Sequence, residues 1–354
     1  MVGNSLNRTS GRNYFLDLFR LVAAICIIGI HSRVFRSVSS RLDFVVSDIL
    51  FRWAVPFFAI CSGFYLAKKL KIADGRAVLD RDAGIIFKRR AQKALVLYLQ
   101  WSLFYLLFSF LRRERNDADL SQNMVSWLGS FLAGDAYYHT WYLLQLFFGY
   151  IYIYIILSFT KLDTLPFVIF FLWISGCYAY AYCDVIPFDA GREAAYFCRH
   201  TIGASICSVW QIVPLMLSGF YLANRPFESE RKILAGLFIS FILLCCEALV
   251  LRHAGGIFKY SYIFFILPFS YFFFAVVQRI GESGLVDLRE GSAQFFARTS
   301  MLVYLLHPAI LVVLEFFGIH HSVLLFVACT VITVLLCFFM SKYFQPRSPW
   351  VSKR

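Results

Sequence analysis

Long apolar runs, separated by short polar and mostly basic stretches, fill the chain from residue 14 to residue 340. A helix needs about 20 predominantly apolar residues to cross the hydrocarbon of a bilayer. Ten runs approach that length: residues 14–31, 44–67, 94–111, 140–159, 164–183, 202–222, 233–251, 257–277, 299–317 and 322–340. Their apolar positions are continuous instead of alternating with polar ones, which favours helices over the strands of a barrel. The expected fold class is therefore an all-α polytopic membrane protein with about ten transmembrane helices. No linker or low-complexity stretch divides the runs. Residues 1–340 read as one transmembrane domain and residues 341–354 as a short basic tail, with no soluble domain attached.

Composition agrees with lipid as the solvent. Hydrophobic residues make up 60% of the chain and charged residues 16%, against roughly half and a quarter in an ordinary soluble domain. The 40 Phe and 20 Tyr suit a lipid-facing surface with aromatic belts. A net charge of +13 could suggest nucleic acid, but the cations sit in clusters between apolar runs, so no nucleic-acid partner is expected. With the N-terminus inside, the inner segments carry 22 Lys and Arg and the outer ones 10, Arg20 and Arg52 within the runs completing the 34. That asymmetry places both termini in the cytoplasm and the chain in a cell membrane, inner or plasma. Arg33, Arg36 and Arg41, in the first outer loop, are the exception; headgroup contact or attraction of an anionic glycan would explain them. The first run lacks a small-residue cleavage site and reads as a retained span. Ten cysteines without C-x-x-C or Cys/His ligand spacing predict no metal. Cys183 and Cys198 bracket a polar loop and could pair in an oxidising compartment.

Two segments echo each other: PFFAICSGFYLAKK at 56–69 and PLMLSGFYLANR at 214–225. In the ten-span reading both close a span at its cytoplasmic end, which fits parallel halves, or similar helix-end chemistry without common ancestry.

Ionisable residues at membrane depth are costly and mark functional sites by default. Asp17, Arg20 and His31 all fall in or at the edges of the first run. At about 100° per residue the eleven positions from Arg20 to His31 close three turns with about 20° over, and Asp17 precedes Arg20 by three, so the three share a face. The rise from Arg20 to His31 is about 16 Å. An anion held at Arg20 could therefore extend a long arm to His31; a snorkelling Arg20 paired with Asp17 is the plain alternative. Arg52 precedes WAVPFF in the second run, and His307-Pro308 interrupts the ninth. Lys88, Arg89, Arg90 and Lys93 open the third run, where Arg90 and Lys93, a turn apart, could clamp phosphate or simply anchor the inner face.

Taken in order, these motifs resemble the membrane-bound acyltransferase-3 family, whose members move acyl groups, most often acetyl, onto carbohydrates of envelopes or surface polymers. Arg20-x10-His31 with Asp17 ahead of it, RWAVPFFAICSGFYL at 52–66, HTWYLLQLFFGY at 139–150 and VYLLHP at 303–308 carry the likeness. The family's Arg-x-x-Arg appears as Arg90-x-x-Lys93, which keeps the charge and loses the planar fork. The resemblance implies acetyl-CoA or another acyl-CoA as donor, with Arg20, Arg90 and Lys93 holding its phosphates and no metal. It implies His31 and Asp17 as the catalytic pair, His31 acting as general base or as nucleophile. Arg52, His139, Trp141, Tyr304 and His307 are the expected substrate-binding residues. The acceptor implied is a hydroxyl of an envelope or surface carbohydrate or glycolipid, approached within membrane lipid. Two other classes compete: a carrier for a small polar solute such as an amino acid, and a scaffold for envelope assembly.

Overall fold

The computed structural model describes residues 13–113, 127–131, 134, 136–183, 185, 186, 191, 193, 196, 209–227, 229–254, 262–283 and 290–343. Among them lies an all-helical bundle: α1 (Tyr14–Ser32), α2 (Ser40–Asp43), α3 (Ala54–Ala67), α4 (Arg81–Arg113), α5 (Trp141–Phe159), α6 (Leu165–Cys177), α7 (Ile212–Asn224), α8 (Glu230–His253), α9 (Ile266–Glu282), α10 (Glu290–Phe316) and α11 (Ser322–Tyr343). A two-stranded hairpin, β1 (Ile72–Ala73) and β2 (Arg76–Ala77), precedes α4 and turns through left-handed Asp74 and Gly75. Every apolar run of the sequence overlaps a helix. Among the described residues seven stretches are long and apolar enough to cross a membrane, and Ile212–Asn224 is apolar but shorter.

Local chemistry sets the ends. The Asn13 side chain accepts from the Leu16 amide at 3.2 Å and starts α1, and Arg33, left-handed at φ 52°, ends it. Asp80 does the same for α4, accepting from the Ala83 amide at 2.8 Å. That cap places the start of α4 thirteen residues before the expected span at 94, so a 33-residue helix carries the basic cluster on its first turns. The second run is not one helix: a π-helical stretch, Phe44–Leu50, and a turn lead into α3. Pro56 stands in the first turn of α3, where a missing N–H breaks no helical bond. The last helix runs to Tyr343, three residues beyond the expected boundary at 340. Cys183 is buried; its suggested partner Cys198 lies outside the described residues.

The two echoed segments pack on each other. A Cβ on Gly63 would stand 1.7 Å from the Met216 carbonyl oxygen, and one on Gly219 would stand 2.0 Å from that of Ile60. Each glycine thus receives the other helix's backbone three residues ahead of the other glycine, so α3 and α7 cross reciprocally. Around this pair α1 packs on α10, α4 on α5, α8 on α9 and α10 on α11. The outer helices turn large apolar side chains outward, Phe238 and Val250 of α8 and Val331 and Leu335 of α11 among them, as a lipid-facing surface requires.

Candidate active site

Three cations from two helices meet at one cavity of about 370 Å³. Arg20 of α1 and Arg90 and Lys93 of α4 line it together with Cys61, Ser62 and Tyr65 of α3, Tyr142 and Tyr150 of α5, and Tyr304 of α10. Each arginine is anchored. Arg20 Nη1 lies 3.2 Å from an Asp17 carboxylate oxygen, and Asp17 is only 1% exposed. Arg90 donates to the Tyr65 carbonyl at 3.0 Å and to the Tyr150 hydroxyl at 3.5 Å, with its guanidinium 5.9 Å above the Tyr150 ring. Lys93 stands within the fields of both arginines. Three cations against one neighbouring carboxylate leave the cavity positive, and fixed donors in such a place suit phosphate or carboxylate oxygens.

A second constellation begins at Tyr304, which also lines the cavity. The Tyr304 hydroxyl donates to the backbone carbonyl of His139, which fixes the segment entering α5. The His139 ring stands edge-on to that of His307 at 5.7 Å, and His307 stacks on His31 at 5.4 Å. Tyr138 covers His31 at 4.7 Å. His139 and His307 are buried; His31 keeps some accessible surface. Residues from α1, α10 and the approach to α5 therefore place three imidazoles side by side.

A charged network supports this end of α1. Asp48 accepts from Arg33 at 2.8 Å and from Arg52 at 2.6 Å, while Asp43 accepts from Arg33 Nε at 2.9 Å and from Ser47 at 2.9 Å. Both carboxylates are buried, and Arg52 is close enough to act electrostatically on His31. Arg33, offered by the sequence as a headgroup or glycan contact, is engaged by two carboxylates; Arg36 and Arg41 are exposed.

The structure thus brings Arg20, Arg90 and Lys93 to one cavity, and His31, His139 and His307 to one cluster, with Tyr304 joining the two. Asp17 stands with the first group. It lies fourteen positions from His31 on a single helix, about 21 Å by rise, and its carboxylate is turned to Arg20. Trp141 is half-buried against Tyr142, 6.1 Å between ring centroids, and lines neither the cavity nor the cluster. Sequence reading missed Asp43, Asp48, Tyr142 and Tyr150. For Asp48 a signal existed, since it precedes Arg52 by one helical turn. Among the described residues no group of three His, Cys, Asp or Glu side chains could hold a metal ion.

Comparison with known proteins follows the same outline. A family model for the acyltransferase-3 domain, described as an acyltransferase domain, matches residues 13–342. An amino-acid racemase of Enterococcus faecalis is 23% identical over 343 residues, covering 92% of this chain and 45% of that protein. A serine/alanine racemase of Enterococcus gallinarum is 25% identical over 303 residues, covering 84% of this chain and 40% of its own length. The chain spans less than half the length of these curated relatives. No solved structure matches.

Proposed function

Because the chain belongs to the acyltransferase-3 family, we propose that it is an integral membrane O-acyltransferase. It moves an acyl group, acetyl above all, from acyl-CoA to a hydroxyl of an envelope or surface carbohydrate or glycolipid. One observation carries the reading: a cavity lined by Arg20, Arg90 and Lys93 shares Tyr304 with the histidine cluster, where its ring meets those of His139 and His307. The phosphates of the donor bind the cations, with Asp17 holding Arg20 in place. The pantetheine arm runs along Tyr142 and Tyr304, and the thioester reaches His31, about 16 Å of helix rise from Arg20. His31 serves there as general base on the acceptor or as the nucleophile that takes the acyl group. Arg52, fixed by Asp48 and close to His31, faces the incoming acceptor. Ten spans with both termini in the cytoplasm of a cell membrane accord with the charge asymmetry and put the basic cluster on the side where acyl-CoA is made.

Reconstitution in liposomes with labelled acetyl-CoA tests the reading. His31→Ala keeps membrane insertion and donor binding and loses at least about a hundredfold in transfer, the scale of a lost general base. Arg20→Ala loses donor binding instead. Transfer at the wild-type rate by His31→Ala would remove that histidine from the chemistry.

A carrier for a small polar solute is the second reading, favoured by the likeness to the two racemases, whose names point to amino acids. It expects both variants to impair amino-acid flux into sealed vesicles, with no acetyl-CoA consumed by any of the proteins.

A further inference from the structure

Three buried ring nitrogens, one of His307 and two of His139, meet with no hydrogen bond of full geometry to them, the Leu305 carbonyl beside His139 being the one backbone acceptor near. His307 Nδ1 lies 3.1 Å from the Val303 carbonyl oxygen. A carbonyl only accepts, so Nδ1 carries the proton, and Nε2 of the neutral ring is a lone pair. Nε2 itself is buried and has no hydrogen-bond partner among the described residues. Neither nitrogen of His139, which is 1% exposed, has one either. The backbone carbonyl beside the His139 ring, that of Leu305, is engaged by the Tyr105 hydroxyl at 2.5 Å. Buried polar atoms without partners are rare, and a ligand is one of the few things that explains them.

A hydroxyl fits this gap on both counts. Its hydrogen can be donated to the His307 Nε2 lone pair, and its oxygen can accept from the His139 N–H. We infer that the reacting acceptor hydroxyl binds between His307 and His139, and that His307 takes its proton. The inference rests on the acyl-transfer reading and divides the labour within it, since a base at His307 leaves the acyl group to His31. In the first half, a His31 nitrogen attacks the thioester carbon and the C–S bond breaks. The thiolate leaves as thiol, taking the proton that the acylated ring gives up. In the second half, the acceptor oxygen attacks the acyl carbon while its proton passes to His307 Nε2. The C–N bond breaks, and His31 recovers a proton from His307.

His307→Asn is the decisive variant, because an asparagine amide can stand in for Nδ1–H toward Val303 and has nothing at the place of Nε2. Rapid quench with labelled acetyl-CoA, with water and glycerol as hydroxyl acceptors, should show about one CoA released per protein in the first turnover of both wild type and variant. Steady-state transfer should fall at least about a hundredfold in the variant only. Hydroxylamine, a nucleophile that needs no base at neutral pH, should restore turnover of the variant to within a few-fold of wild type. Glycerol transfer by His307→Asn at the wild-type rate overturns the assignment. So does loss of the first-turnover CoA release in a variant that still binds donor, and so does failure of hydroxylamine to restore turnover. A wild type that neither binds nor consumes acetyl-CoA sinks the acyltransferase reading itself, a result distinct from these three.

Discussion

The six residues SGFYLA occur at 62–67 and again at 218–223, and only the first copy borders the cavity. Their internal chemistry is the same. Each serine hydroxyl donates to the carbonyl four residues back, Ser62 to Phe58 at 2.9 Å and Ser218 to Pro214 at 2.7 Å. Each glycine admits the backbone of the other helix, and Phe64 and Phe220 are both fully buried. What differs is the company. The first copy, on α3, lines the cavity with Ser62 and Tyr65, and the Tyr65 carbonyl holds Arg90 of α4. The second, on α7, is enclosed with Ser218 buried, and the arginine that follows it, Arg225, makes an exposed pair with Asp163 at 2.8 Å. Local sequence dictates how these helices cross, and the neighbours of each copy dictate whether it borders the cavity.

The crossing should be the easiest part of this pair to destroy. Gly63→Ala and Gly219→Ala each press a methyl into backbone that no rotamer change can move, so both should lose about 3 kcal/mol or more of stability. Thermal unfolding in detergent reads this, and a wild-type melting temperature for either variant would show that the interlock is not reciprocal.

A smaller effect separates the arginines. If acyl-CoA binds at the cavity as proposed, Arg90→Ala should raise the KM for acetyl-CoA roughly tenfold with kcat nearly unchanged, the sign of lost uniform binding. Lys93→Gln should behave alike. Arg225→Ala should alter neither constant, since its pair is 51% and 72% exposed and such pairs contribute little. A fall in kcat alone for Lys93→Gln would move that residue out of phosphate binding.

The smallest contrast lies in the serines. Ser62→Ala and Ser218→Ala should each change stability by less than about 1.5 kcal/mol. Only Ser62→Ala, at the cavity wall, should shift the KM for the donor. Equal kinetic effects would mean that the second copy is also felt at the site.

Much of this is legible in the amino-acid sequence. Apolar runs locate the helices because lipid demands a continuous apolar surface, and helical spacing puts Asp17 one turn from Arg20, as their ion pair shows. The same spacing sets Asp17 fourteen residues from His31, too far to act on it directly. The π-helical stretch at 44–50 is hidden in a run whose polar interruption there is Ser47-Asp48, and hydropathy does not distinguish a π turn from an α turn. The meeting of His139 with His307 joins segments 168 positions apart. No periodicity encodes such a contact; it depends on where Tyr304 fastens the residues before α5.

The backbone-to-backbone seat of Gly63 and Gly219 also bears on how anything could pass through the molecule. Alternating access requires one part of a bundle to rock against another around the bound solute. A seam with no side chain between the two chains has no slack to rock on, so α3 and α7 move as a single post. α3 forms part of the cavity wall, and that wall is therefore stationary relative to the post. Rocking that opened a path past Arg20, Arg90 and Lys93 would have to move other helices against this post.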